Sequence, residues 1–218
     1  NSSMQIVGSA NLQMDHIRII STGVALAVND GSFKIANSYF ESPTDAILVS
    51  ELSADSEMID SNWNTVLHNS DTSGHKLVIR GVNSPDSTFV IDGAGSKTFI
   101  RDSAVIGHVQ HDAGYLAITN VGQVTADGSG ESITSTADDS GNNFLYLNLI
   151  STKQDDGTYG KIEKTGDCDY QLGINDFGDD DNFNGNGTVG LITSDQVKVL
   201  YDPVSYTSTG ILTDHIQQ

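Results

Sequence analysis

The 218 residues carry 29 Asp and Glu against 10 Lys and Arg, a formal net charge of -19, with 37% hydrophobic residues. That is enough apolar material to core one large domain or two small ones, whereas duplex nucleic acid and anionic lipid, whose capture begins with Lys or Arg on phosphate, are unfavourable partners. A single cysteine, Cys168, rules out an internal disulfide framework and a multi-cysteine zinc site, and no apolar run is long enough to span a membrane.

In chain order, the start from Asn1 to Gln13 lacks the basic and apolar segments of a signal peptide, and the absence of an initial Met suggests a processed or partial product. Short runs rich in Val, Ile, Phe, Tyr and Thr then recur between clusters of Gly, Asn, Asp and Ser, which is the punctuation of strands and turns. The expected strands are His16 to Ile20, Val24 to Val28, Asn64 to His68, Lys76 to Arg80, Ser87 to Ile91, Thr98 to Arg101, Tyr115 to Thr119, Phe144 to Ile150, Val189 to Thr193 and Val197 to Tyr201. Apolar and polar residues alternate in several of them, as in Val197, Lys198 and Val199, so one face is buried and the other wet. Pro43 to Ile59 has apolar spacing near that of a helix, with Ser42 or Thr44 as its cap. Cys168 reads as a small buried apolar residue. Connections this short leave no room for crossover helices, and the expected fold is all-β: an antiparallel sandwich or jelly roll. The polar stretch Val121 to Asn143 suggests two small β domains, residues 1–125 and 126–218, with a long loop inside one domain as the alternative.

Several places could carry recognition or chemistry. Trp63, the sole tryptophan, lies between Asn62 and Asn64, whose amides could bond sugar hydroxyls while the indole stacks on a ring; a core tryptophan at the head of a strand fits the same residues. The run Asn175 to Gly187 holds four Asp, four Asn and three Gly with no basic residue, a density of like charge that a cation would relieve. Within it Asp180, Asn182, Asn184 and Gly185 match the first half of a calcium loop, with Asn186, Asp176 and Asp179 close enough to add ligands. The closing Glu is replaced by Leu191, so a helix-loop-helix site is rejected while a calcium loop on a β scaffold stays open beside a solvated turn. His108 and His111, three apart on an extended strand, point to opposite faces and read as isolated. Gly185, Gly187 and Gly190 have the spacing of a dinucleotide fingerprint but follow an acidic run and precede a β-branched one, the wrong context for pyrophosphate. Asp139, Ser140 and Gly141 sit among polar neighbours as a loop, and the common hydrolase signatures are absent.

A disulfide-free chain this acidic and this rich in Gly, Asn, Ser and Asp, from Asn1 to the terminal Asp214, His215, Ile216, Gln217 and Gln218, resembles the receptor-binding regions of phage spikes and fibres, in particular the vertex spikes of marine, membrane-containing phages of the PM2 type. The resemblance implies a β-rich spike on the virion surface, outside any cytoplasm. It implies calcium as the bound ion, and as partners a host receptor or glycan together with other spike or capsid subunits, without nucleic acid or membrane insertion. It supplies no contact residue. The expected function is therefore host-surface recognition rather than catalysis. A glycan-hydrolysing, tailspike-like enzyme and a secreted calcium-binding adhesin are the alternatives; the enzyme would need two carboxylates embedded in apolar strand ends.

Overall fold

Each expected strand that falls among the described residues is found, in a computed structural model that describes residues 4–173, 175–178 and 182–185. The strands at Lys76–Arg80 (β9) and Phe144–Ile150 (β14) have the expected bounds. Pairing overturns the fold class, because every paired strand is parallel to its neighbour and the chain winds as a β-solenoid of about eight turns, 63% strand and without α-helix among the described residues, rather than an antiparallel sandwich or jelly roll.

The reason lies in what fills the connections. Parallel neighbours must be joined by a long crossover, usually a helix; here the crossover consists of strands on the other faces of the coil. Long strands such as Leu26–Ala36 (β3), Asn83–Ile91 (β10) and Lys97–His111 (β11) bend from one face to the next, and β3 and β10 shift register as they do so. Pro43 to Ile59, with its helix-like spacing, becomes two strands, Asp45–Leu52 (β5) and Ser56–Ile59 (β6), each stacked on β3. Its apolar residues meet neighbouring turns, a tertiary gain that outweighs weak helical periodicity.

One face stacks the C-terminal part of β3, then β6, β9, the N-terminal part of β11, Tyr115–Val124 (β12), β14 and Asp169–Leu172 (β16). A second stacks β5, Thr65–Asn69 (β8), β10, the C-terminal part of β11, Glu131–Ser135 (β13), Lys161–Lys164 (β15) and Phe183–Gly185 (β17). Met4–Asp15 (β1) lies along β3, and a third face begins with Arg18–Ile20 (β2), Tyr39–Glu41 (β4) and Asn62–Trp63 (β7). The position expected as a domain boundary, 125/126, lies between strands of the same sheet: β12 pairs with β14 and β11 with β13 across it.

Alternation of period two puts every second side chain inside, and parallel register places equivalent residues directly above one another. Ile35, Met58, Ile79, Ile100, Ile118, Leu147 and Leu172 form one inward column; Leu26, Ile47, Leu67, Phe89, Val109, Ile133 and Ile162 form another. All are buried and belong to one hydrophobic core. At the corners, hydroxyls from one turn accept backbone N–H groups of the turn before: Phe33 donates to Ser56 (3.1 Å), Ser38 to Ser61 (3.0 Å), Trp63 to Ser84 (3.2 Å) and Val82 to Ser103 (3.1 Å). Such buried serines satisfy donors that a bend would otherwise orphan. Turns also approach closely at Gly107, where a Cβ would lie 1.6 Å from the Ser87 carbonyl oxygen.

One inward column is largely polar. Asn69, Ile91, His111, Ser135 and Lys164 share a register, and the His111 ring bonds Ser135 through Nδ1 (3.0 Å) and the Gly114 carbonyl through Nε2 (2.9 Å). A carbonyl only accepts, so Nε2 carries the proton and Nδ1 accepts from the Ser135 hydroxyl. Burial holds the imidazole pKa below its ordinary range. Lys164 is also buried; its Nζ donates to the Gly166 carbonyl (2.6 Å) and sits 5.1 Å from the Tyr170 ring centroid. Cys168 is buried beside it, as expected, and burial pushes its thiol pKa up.

Candidate binding face

On the outward side of the first face, the register lines up Lys76, Lys97, Tyr115, Phe144 and Asp169 in one column. The next column is Lys34, Glu57, Val78, Phe99, Ala117, Tyr146 and Gln171. Tyr115 stacks on Phe144 with centroids 5.6 Å apart and planes within 10°, and Phe99 tilts against Tyr115 at 5.5 Å. Strands about 4.8 Å apart bring such rings to stacking distance without help from the rest of the fold. The small Ala117 between Phe99 and Tyr146 keeps the floor low.

A groove of about 730 Å³ runs over these rings from Lys97 to Asp169 and Gln171, with the loop Gly141, Asn142 and Asn143 as one wall. That wall is anchored. Gly114 N donates to Asn143 Oδ1 (2.6 Å), Asn143 Nδ2 donates to Asp138 Oδ1 (3.0 Å), and Phe144 N donates to the Gly114 carbonyl (3.0 Å). Bonds from Ser140 to the Asp138 carboxylate hold its pKa below the usual range, so the loop keeps a charged hinge point at neutral pH. Partial burial, with the neighbouring Tyr146 phenol, pushes Tyr115 up, and it remains a neutral hydroxyl. The groove thus offers half-exposed aromatic rings, amides, one ammonium and one carboxylate. That combination suits a pyranose ring and its hydroxyls.

Trp63 has a different role from the one proposed for a surface tryptophan. It is 2% exposed and packs edge-to-face on Phe89, centroids 5.0 Å apart, so no indole face is open to a sugar. Asn62 Oδ1 accepts from Asn83 N (2.8 Å) and Asn64 Oδ1 from Ser42 N (2.9 Å); both amides tie turns together. His108 is half-buried, bonding the Glu131 carbonyl (2.8 Å), and His111 points inward, so the two rings do lie on opposite faces.

Of the residues expected to hold calcium, Asp179, Asp180 and Asn186 lie outside the described residues. Asp176 accepts from the Ser151 hydroxyl (3.2 Å), Asn182 donates to the Phe177 carbonyl (2.9 Å), and Asn184 lies in β17 opposite Glu163. No group of three or more His, Cys, Asp or Glu side chains converges on a metal position among the described residues.

A second opening, about 440 Å³, is lined by Asp86, Asp155 and Asp156 with Gln123 and Gln154. Asp156 is held low by its bonds to Thr158. The one carboxylate buried among the described residues, Asp71, accepts from Leu52 N (2.8 Å) and from the Ser73 hydroxyl (2.6 Å).

Sequence reasoning passed over Phe99, Tyr115, Phe144 and Tyr146, although each lies in an expected strand. The available signal was an aromatic residue at the same place in successive strands, and it becomes legible only when the strands are stacked in parallel. Comparison with protein-family models, with curated proteins and with solved structures finds no match for the chain. The fold and the face therefore define the class: a parallel β-solenoid bearing an open aromatic groove.

Proposed function

We propose that this chain is a receptor-binding module of a virion spike that recognises host-surface saccharide through the groove over Tyr115, Phe144 and Phe99. The observation that carries the saccharide reading is the row of stacked, half-exposed rings flanked by the amides of Asn142 and Gln171. Placement on a virion rests on the resemblance to phage spikes, and a solenoid gives such a module a long, rigid flank on which repeated weak contacts add through avidity.

The hydrolase alternative needs one acid kept protonated near neutral pH and a second kept ionised. The carboxylates whose pKa shifts among the described residues, Asp15, Asp127, Asp138 and Asp156, all shift down. Calcium, proposed for the run from Asn175 to Gly187, belongs to the same reading and rests on the spacing of Asp180, Asn182 and Asn184.

The test is a binding screen of the purified chain on host cells and their extracted glycans. Phe144→Ala should lower affinity about tenfold or more by removing a stacking surface, while the folded fraction stays above nine-tenths at room temperature. Release of reducing sugar that disappears on changing a single carboxylate would assign the chain to the enzymes instead.

A further inference from the structure

In linear order the ten basic residues look scattered, and no basic stripe is visible. The solenoid gathers five of them. Lys34, Lys76, Arg80, Lys97 and Arg101 all point outward from the first face, in three adjacent columns, with only Asp15, Glu57 and Asp169 as carboxylates in those columns. In a chain with 29 acids, half of the cations share one wall.

Their pairing is as telling as their placement. Arg80 is ion-paired to Glu57 at 3.1 Å, whereas Lys34, Lys76, Lys97 and Arg101 make no ion pair among the described residues. At a surface an ion pair gains little, so these four unpaired cations are open to an anionic ligand. Lys97 lines the aromatic groove itself, one strand from Tyr115, and Lys76 stands one strand further along the same column.

We infer that the groove's ligand is an acidic saccharide, one whose carboxylate or sulfate groups reach Lys97 and Lys76 while a neighbouring ring stacks on Tyr115 and Phe144. The inference rests on the saccharide reading above and adds the charge of the ligand. Strand spacing of about 4.8 Å puts Lys97 and Lys76 roughly one sugar residue apart along the column, so a repeating anionic chain meets both. A nucleic acid fits this wall less well. Beyond the five cations its phosphates would face the remaining surface of a chain of net charge -19.

The experiment measures affinities of the intact chain for oligosaccharides in matched pairs: tetragalacturonate and its methyl ester, and a sulfated galactan tetramer and its desulfated form. An oligothymidylate of eight residues is the control. In 50 mM NaCl at least one acidic member should bind about tenfold tighter than its neutral partner, in line with two exposed charge contacts. That preference should shrink in 500 mM NaCl as screening shortens the reach of exposed charges. The double change Lys97→Gln and Lys76→Gln should abolish the preference, bringing each acidic member to within about twofold of its neutral partner, whereas Phe144→Ala should weaken both members of a pair and keep the preference. Equal binding of acidic and neutral partners would overturn the inference and leave the saccharide reading standing. No binding by any pair member would overturn both. Tighter binding of the oligothymidylate than of every acidic tetramer would give the wall to nucleic acid and overturn the inference.

Discussion

Trp63→Ala separates a tryptophan that holds the fold from one that holds a ligand. The indole is 2% exposed, lies edge-to-face on Phe89 at 5.0 Å, and follows the fully buried Phe40 in the next turn. Burying a Trp removes about 150–250 Å² from water, which at roughly 25 cal/mol per Å² is about 4–6 kcal/mol. Large-to-small changes at aromatic core sites cost about 3–5 kcal/mol, so about 4 kcal/mol is the expected loss. For a chain of this size that lowers Tm by on the order of 10 °C. Urea and thermal unfolding measure the loss, and because Trp63 is the only tryptophan, its emission in the wild-type chain should be blue-shifted and resistant to iodide quenching. Saccharide affinity of the folded fraction should be unchanged. A Tm within about 2 °C of wild type, together with lost binding, would refute the core assignment, since surface changes cost at most about 0.5 kcal/mol.

His111, buried and neutral, makes stability depend on pH. The unfolded imidazole takes up a proton near pH 6.5 and the folded one only at lower pH, so stability is full above that value and falls as pH drops below it, by up to about 1.4 kcal/mol per pH unit. Urea midpoints at pH 7.5 and 5.5 should show this difference, and His111→Gln should reduce it; an undiminished difference would put the effect elsewhere. Gly107→Ala, with a Cβ 1.6 Å from a backbone oxygen, should lower Tm by several degrees, while Gly128→Ala, with no atom within 4 Å of its Cβ, should leave it nearly unchanged in the same melt. Calcium at about 10 mM should raise Tm relative to chelator, by up to about 2.7 kcal/mol in stability for a site of Kd about 0.1 mM, and Asp180→Ala should remove most of that difference; identical melting in both buffers would make the acidic run a solvated turn.

Strand content and the inside-outside assignment were legible in the sequence because both follow from a local alternation of period two. In Lys97 to Arg101 the period of two holds, with Thr98 and Ile100 inside, but polar Thr98 is buried and apolar Phe99 faces outward, so residue type alone does not give the phase there. The burial of Cys168 followed from its chemistry, and the opposite orientations of His108 and His111 from their spacing. Residues 45–59 misled because a spacing near 3.6 over one or two turns is also produced by two short strands and a bend.

Strand direction, the core position of Trp63 and the binding face were decided only in three dimensions. A strand's own residues do not say which way its neighbour runs. The turns differ in length, as the pairings of Leu77 with Thr98, Thr98 with Leu116 and Leu116 with Leu145 make plain, so no fixed period marks the repeat. Lys76, Lys97, Tyr115 and Phe144 are far apart along the chain and adjacent on the solenoid, since parallel register sums the unequal turns into one straight column. The sequence by itself therefore determined what each strand buries, a local property of alternation, while the tertiary structure decided which exposed residues stand together, because that depends on how many residues each turn takes to come round.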